Sequence, residues 1–75
     1  MSTDKHILIF RTNIRFKKDL PVIEKTLSTF PDIAKWNVDM HDIDKVLRIE
    51  SKTDILNQII STIQDAGYFC VELED

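Results

Sequence analysis

The chain has a single cysteine, Cys70, and a single glycine, Gly67, among its 75 residues. One thiol excludes an internal disulfide and suits a reducing compartment. The one glycine lies outside the first loop, where Arg11 and Arg15 stand, which leaves no glycine-lined cradle for an oxyanion there. Apolar runs such as Ile7 to Phe10 are far too short to span a bilayer. The opening "MSTDKH" lacks the apolar stretch of about seven residues or more that a secretory signal needs. No Ser-His, Cys-His or paired-carboxylate constellation is visible, so the reading is non-enzymatic. A cytoplasmic, non-membrane domain is expected, with residues 1–5 a flexible tail and 1–75 one domain close to the lower size limit for folding without a staple.

What is present is an ordinary globular composition, 43% apolar and 31% charged, with the charge unevenly spread. Residues 5–18 hold five of the ten Lys/Arg and no acid, whereas residues 19–75 hold twelve of the thirteen Asp/Glu. The net charge of −3 therefore conceals a dipolar surface, not a general binder of polyanions.

The hydrophobic period changes repeatedly along the chain. "HILIF" (6–10) reads as a buried strand. From Asp19 the stripe Leu20, Ile23, Leu27, Phe30 is helical; Asp19 suits the N-cap, Pro21 the first turn, and Pro31 ends the helix. "IAKWNVDM" (33–40) alternates, with Ala34, Trp36, Val38 and Met40 on one side. "HDID" is a polar turn, and "KVLRIE" (45–50) returns as the second arm of a hairpin. Ser51 or Thr53 is expected to cap a second helix, Ser51-x-x-Asp54 resembling a capping box, with Ile55, Leu56, Ile59, Ile60, Ile63 and Ala66 on its apolar face. Gly67 stands where a helix end wants a left-handed residue. "YFCVEL" (68–73) is the last strand, with Phe69, Val71 and Leu73 on one face.

The order is βαββαβ. Two helices with single apolar stripes cover one face of a four-stranded antiparallel sheet, and right-handed crossovers give the ferredoxin-like α+β arrangement with strand order 4-1-3-2. The expected core comprises Ile23, Leu27, Trp36, Val38, Leu47, Ile49, Ile59 and Ile63.

"LPVIEKTLSTFPDIAKWNVDM", followed by "KVLRIES" and "IQDAGYFCVEL", resembles the heavy-metal-associated domain of copper chaperones and metal-pumping ATPases. Pro31, Ile33 and "WNVD" sit where that family has "pGV" and a "VxVD" strand, and Ala66-Gly67-Tyr68 match its "aGY" turn. The resemblance implies the same fold and a metal loop, M-T-C-x-x-C, after the first strand, whose two thiolates bind Cu(I) or Zn(II). Here those positions fall on Phe16 and Asp19, or on Arg15 and Lys18 when aligned from the strand. Neither alignment supplies sulfur, and Arg11, Arg15, Lys17 and Lys18 oppose the entry of a cation. The reading is a degenerate, metal-free relative with no cofactor.

Other soft ligands do not rebuild a site. His6 and His41 lie at opposite ends of the sheet, roughly 17 Å apart. Cys70 lies across the sheet from His41, on the order of 10–15 Å away. Cys70 and His41 remain the candidate metal ligands, and an intermolecular copper or zinc site using Cys70 is the alternative function. Asp39, Asp42 and Asp44 lack the glycine and distal glutamate of a calcium loop. RNA recognition on this topology needs aromatics on the first and third strands; "KVLRIE" has none, and the pI is about 5.2, so no nucleic acid is expected.

The basic loop itself points to partner binding. In this topology loop 12–18, hairpin 40–44 and turn 67–69 share one end of the molecule. Positive side chains beside a positive helix end favour an acidic partner surface. The resemblance implies the same use, since copper chaperones dock target domains through that end. Arg11, Arg15, Phe16, Lys17, Lys18 and Tyr68 are the expected partner-binding residues. In the simpler alternative Arg15, Lys17 and Lys18 pair with Asp39, Asp42 and Asp44 or are merely solvated. A homodimer stays open.

Overall fold

The computed structural model describes residues 5–73; apart from Lys5, the tail expected over residues 1–5 lies outside them. Seven elements follow one another: β1 (His6–Thr12), a 3₁₀ turn (Lys17–Asp19), α1 (Leu20–Leu27), β2 (Ile33–Asp39), β3 (Val46–Ser51), α2 (Leu56–Asp65) and β4 (Cys70–Glu72). The sheet order is β2-β3-β1-β4 with every pairing antiparallel, which is the ferredoxin-like order expected.

Alternation along the central strands decides which face the helices cover. Leu8, Phe10 and Thr12 of β1, with Leu47, Ile49 and Ser51 of β3, are buried; Ile7, Arg11 and Arg48 between them are exposed. Onto the buried side α1 sets Ile23 and Leu27, and α2 sets Ile59 and Ile63. Trp36 and Val38, expected in the core, pack against its margin and stay half-buried because β2 is an edge strand.

Four local features depart from expectation. The N-cap of α2 falls at Ile55, two residues after the later of the two expected caps and four after the earlier, with no side-chain cap bond there. Ser51 instead ends β3, buried, its Oγ accepting from Thr53 N at 3.3 Å, while Asp54 Oδ1 accepts from Leu56 N at 3.3 Å. Asp19 occupies the cap position of α1 but makes no cap bond, its carboxylate being engaged elsewhere. In β4 the faces are reversed: Cys70 is fully buried opposite Thr12, and Phe69 lies outside the strand, 47% exposed. Ala66, placed on the apolar face of α2 by its spacing, is exposed at the C-cap. Gly67 does adopt the left-handed conformation, φ 96°, that ends α2 and turns the chain into β4.

Candidate docking face

The loop after β1 is held from below by one side chain. Ile14 is completely buried as part of the single hydrophobic core, and its amide donates to Thr12 Oγ1 at 3.2 Å. Thr12 ties the loop to the hairpin through Thr12 N to Asp44 O (3.0 Å) and its hydroxyl to Lys45 O. Asn13 Oδ1 accepts from Phe69 N at 3.0 Å, and Tyr68 OH donates to Asp19 Oδ1 at 3.0 Å. The loop, the hairpin and the 67–69 turn are thus cross-linked by hydrogen bonds at one end of the sheet, as the topology implied.

With Ile14 facing inward, the extended backbone of Phe16 (φ −118°, ψ 142°) carries its ring outward, where it is 58% exposed. Lys18 Nζ stands 5.3 Å from the ring centroid, a cation–π distance. Arg15, Lys17 and Lys18 are all exposed.

The hairpin acids do not neutralise these cations. Asp39 Oδ1 accepts from the amides of His41 (3.1 Å) and Asp42 (3.3 Å), and Asp42 Oδ1 accepts from Asp44 N (2.8 Å). Only Asp44 meets a loop cation, and that cation is Arg11, Nε to Oδ1 3.1 Å. Among the described residues Arg15, Lys17 and Lys18 form no ion pair. Lys17 and Lys18 also sit just before the positive end of α1, where the helix dipole disfavours cations. Fold stability does not ask for this arrangement.

Two of the six expected partner-binding residues therefore hold the face together. Arg11 braces the hairpin, and half-buried Tyr68 pins the turn to α1. Burial first, and then the hydrogen bond and charge of Asp19, push the Tyr68 phenol up. Two apolar residues at this end were missed: Ile43 at the hairpin tip, 92% exposed, and Phe69, 47% exposed. Isoleucine inside the otherwise polar "HDID" turn was the available signal for the first. A shallow groove between loop and hairpin is lined by Thr12, Asn13, Arg15, Ile43 and Lys45.

The candidate metal ligands do not converge. His41 is exposed in the hairpin turn, and His6 begins β1 at the far end. Cys70 is wholly enclosed, and burial pushes its thiol up to about 11. The described residues contain no cluster of three or more His, Cys, Asp or Glu able to hold a metal. A closed site for Cu(I) or Zn(II) wants several converging ligands, with any cysteine as thiolate. The expected result of titrating the reduced chain with either ion against a competing chelator is no stoichiometric submicromolar uptake; uptake abolished by Cys70→Ser would reverse that reading.

The same thiol predicts an alkaline weakening of the fold. Its folded pKa lies above the ordinary value of 9.0, so between about pH 9 and 11 the unfolded chain loses a proton that the folded chain keeps. Stability is full below pH 9 and falls as pH rises toward 11, by on the order of 2–3 kcal/mol. Urea melts of the chain and of Cys70→Ala over that range check it: the variant should show a shallower slope.

Solved structures share this architecture. The N-terminal domain of ZntA in its apo-form superposes with a TM-score of 0.82 at 15% identity, covering 95% of this chain and 96% of that one. A putative copper-ion-binding protein from Bacillus anthracis str. Ames gives 0.75 at 15% identity, covering 93% and 100%. The N-terminal domain of PacS from Synechocystis PCC6803 gives 0.74 at 14%, covering 92% and 98%. No protein-family profile and no curated protein sequence matches the chain. The class defined is the ferredoxin-like βαββαβ fold that these domains share, and identities this low carry the likeness no further than the fold. No helix among the described residues is long and apolar enough to cross a membrane.

Proposed function

We propose that the chain is a non-enzymatic protein-binding module, a relative of the heavy-metal-associated domain that has exchanged the thiolate loop for a basic docking loop. Its partner is an acidic protein surface with an apolar centre, met in a reducing, cytoplasmic setting. The observation that carries this reading is the exposure of Phe16 and Ile43 at the same end as Arg15, Lys17 and Lys18, which have no ion-pair partner among the described residues. An apolar centre with a charged rim is the usual anatomy of a protein interface, and aromatic and arginine side chains dominate its energetics. The rim cations steer an acidic partner, and the ring and the isoleucine supply area removed from water.

The alternative of metal handling through Cys70 meets a thiol that is both enclosed and protonated at neutral pH. The two readings separate in one experiment. Affinity capture on the immobilised chain, with and without Cys70→Ala, should return the same proteins if docking is through the basic end. Loss of all captured proteins with that variant, once circular dichroism shows it folded, would favour the thiol.

A further inference from the structure

The geometry points to a second contact surface: the outer edge of β2, which pairs with the same edge of a second copy of this chain around a two-fold axis at Asn37. This inference is independent of the docking face.

Of the sheet's two outer strands, β4 spans three residues and β2 seven, and among the described residues nothing pairs with the outer side of β2. The irregularity in its pairing with β3 falls between Ile33 and Lys35, so residues 35–39 form a regular edge. A strand edge of that length is a template for another strand.

The side chains specify which strand. Antiparallel self-pairing about Asn37 sets Lys35 opposite the second copy's Asp39, and Asp39 opposite the second copy's Lys35. Both residues are exposed, and both lie on the sheet face away from the helices. The same register sets half-buried Trp36 against half-buried Val38 on the helix side, twice. Opposite charges and aromatic–β-branched pairs are the favourable cross-strand combinations. Lysine on an edge strand ordinarily discourages pairing; here the register itself supplies the acid.

Both charges have partners within their own chain, and both remain at the surface. Lys35 pairs with Glu50 (Nζ to Oε2 3.4 Å), but its side chain is 79% exposed, so the ammonium can also meet an acid across the edge. Asp39 spends Oδ1 on the turn amides of His41 and Asp42. Apolar surface next to the edge, from Phe30, Ile33, Ala34 and Trp36 below α1, lines a groove that the second copy's strand would partly cover. A shift of one residue in register would place Lys35 against a non-charged position on the wrong face, so the pairing selects its own alignment.

The test uses charge reversal and mixing. Sedimentation of the 75-residue chain, up to about 1 mM, should show species of twice the 8.8 kDa monomer mass. Lys35→Glu and Asp39→Lys each put like charges opposite one another at both 35–39 contacts, and each should weaken self-association about tenfold or more. A one-to-one mixture of the two variants puts opposite charges at both contacts and should restore the dimer, with circular dichroism showing each variant folded. In the unsubstituted chain the concentration-dependent amide shifts should centre on 35–39, a readout that needs no variant. The inference is overturned if the chain stays monomeric throughout, if the shifts centre elsewhere, or if two folded variants fail to associate on mixing.

Discussion

Reversing Arg15, Lys17 and Lys18 to Glu together is expected to leave the domain folded and to abolish capture of the acidic partner proposed above. The structure supplies the first half of that expectation. All three side chains are exposed, and among the described residues none forms an ion pair, so their removal leaves no buried acid behind. Acids placed at positions 17 and 18, just before α1, suit the helix dipole better than the lysines do, by about 0.3–1 kcal/mol each near a helix N-terminus. Set against this is the lost contact of Lys18 with the Phe16 ring, so the triple variant should melt within about 2 kcal/mol of the original chain. The second half follows from sign: an acidic partner then meets three negative charges where it met three positive ones, and like-charge juxtaposition at an interface costs several kcal/mol. Equilibrium urea melts and a pull-down from the same samples read both halves.

The second large effect separates two apolar neighbours in the loop. Ile14→Ala should cost about 2–5 kcal/mol, because it empties a site with no exposure between β1 and α1. A domain of this length has a net stability of only about 3–5 kcal/mol, so the variant should be substantially unfolded at 25 °C. Phe16→Ala, two residues on, should change stability by less than about 1 kcal/mol because its ring is mostly in water, losing chiefly the contact with Lys18. Its effect should appear in binding instead, at about 2 kcal/mol or more if the ring is an interface anchor. Denaturant melts of both variants make the comparison directly; equal stability losses would mean that the loop packs differently.

That pair of residues shows where sequence reasoning stops. In "NIRF" the two apolar side chains are two apart and equally able to face the core, so the period alone does not choose between them. The choice is made by β1, which continues to Thr12 with Leu8, Phe10 and Thr12 inward and hands the chain on with Ile14 in the same core. The same ambiguity explains β4. "YFCVEL" is apolar on both faces at first, and its parity is set by the pairing of Cys70 with Thr12, a long-range contact with no local signature. Element order, sheet order and the helix core positions were legible because Leu20, Ile23, Leu27 and Ile55, Ile59, Ile63 repeat at a helical period while Leu47 and Ile49 alternate. The shared end of loop, hairpin and turn was legible from topology alone. Its charge balance was not, because Asp39 and Asp42 turn their carboxylates to backbone amides of the hairpin, a competition that composition does not show.

On the proposed reading, this end of the molecule binds an acidic protein surface by charge steering onto an apolar centre. The most direct measurement is quantitative affinity capture from the lysate of the chain's own source, run in parallel on the unsubstituted chain and on the folded triple reversal at rising salt. The account predicts at least one protein with an acidic surface that the unsubstituted chain retains at low salt and releases as screening shortens toward about 8 Å, and that the reversed chain never retains. Identical sets of proteins on both chains, with the same response to salt, would contradict it.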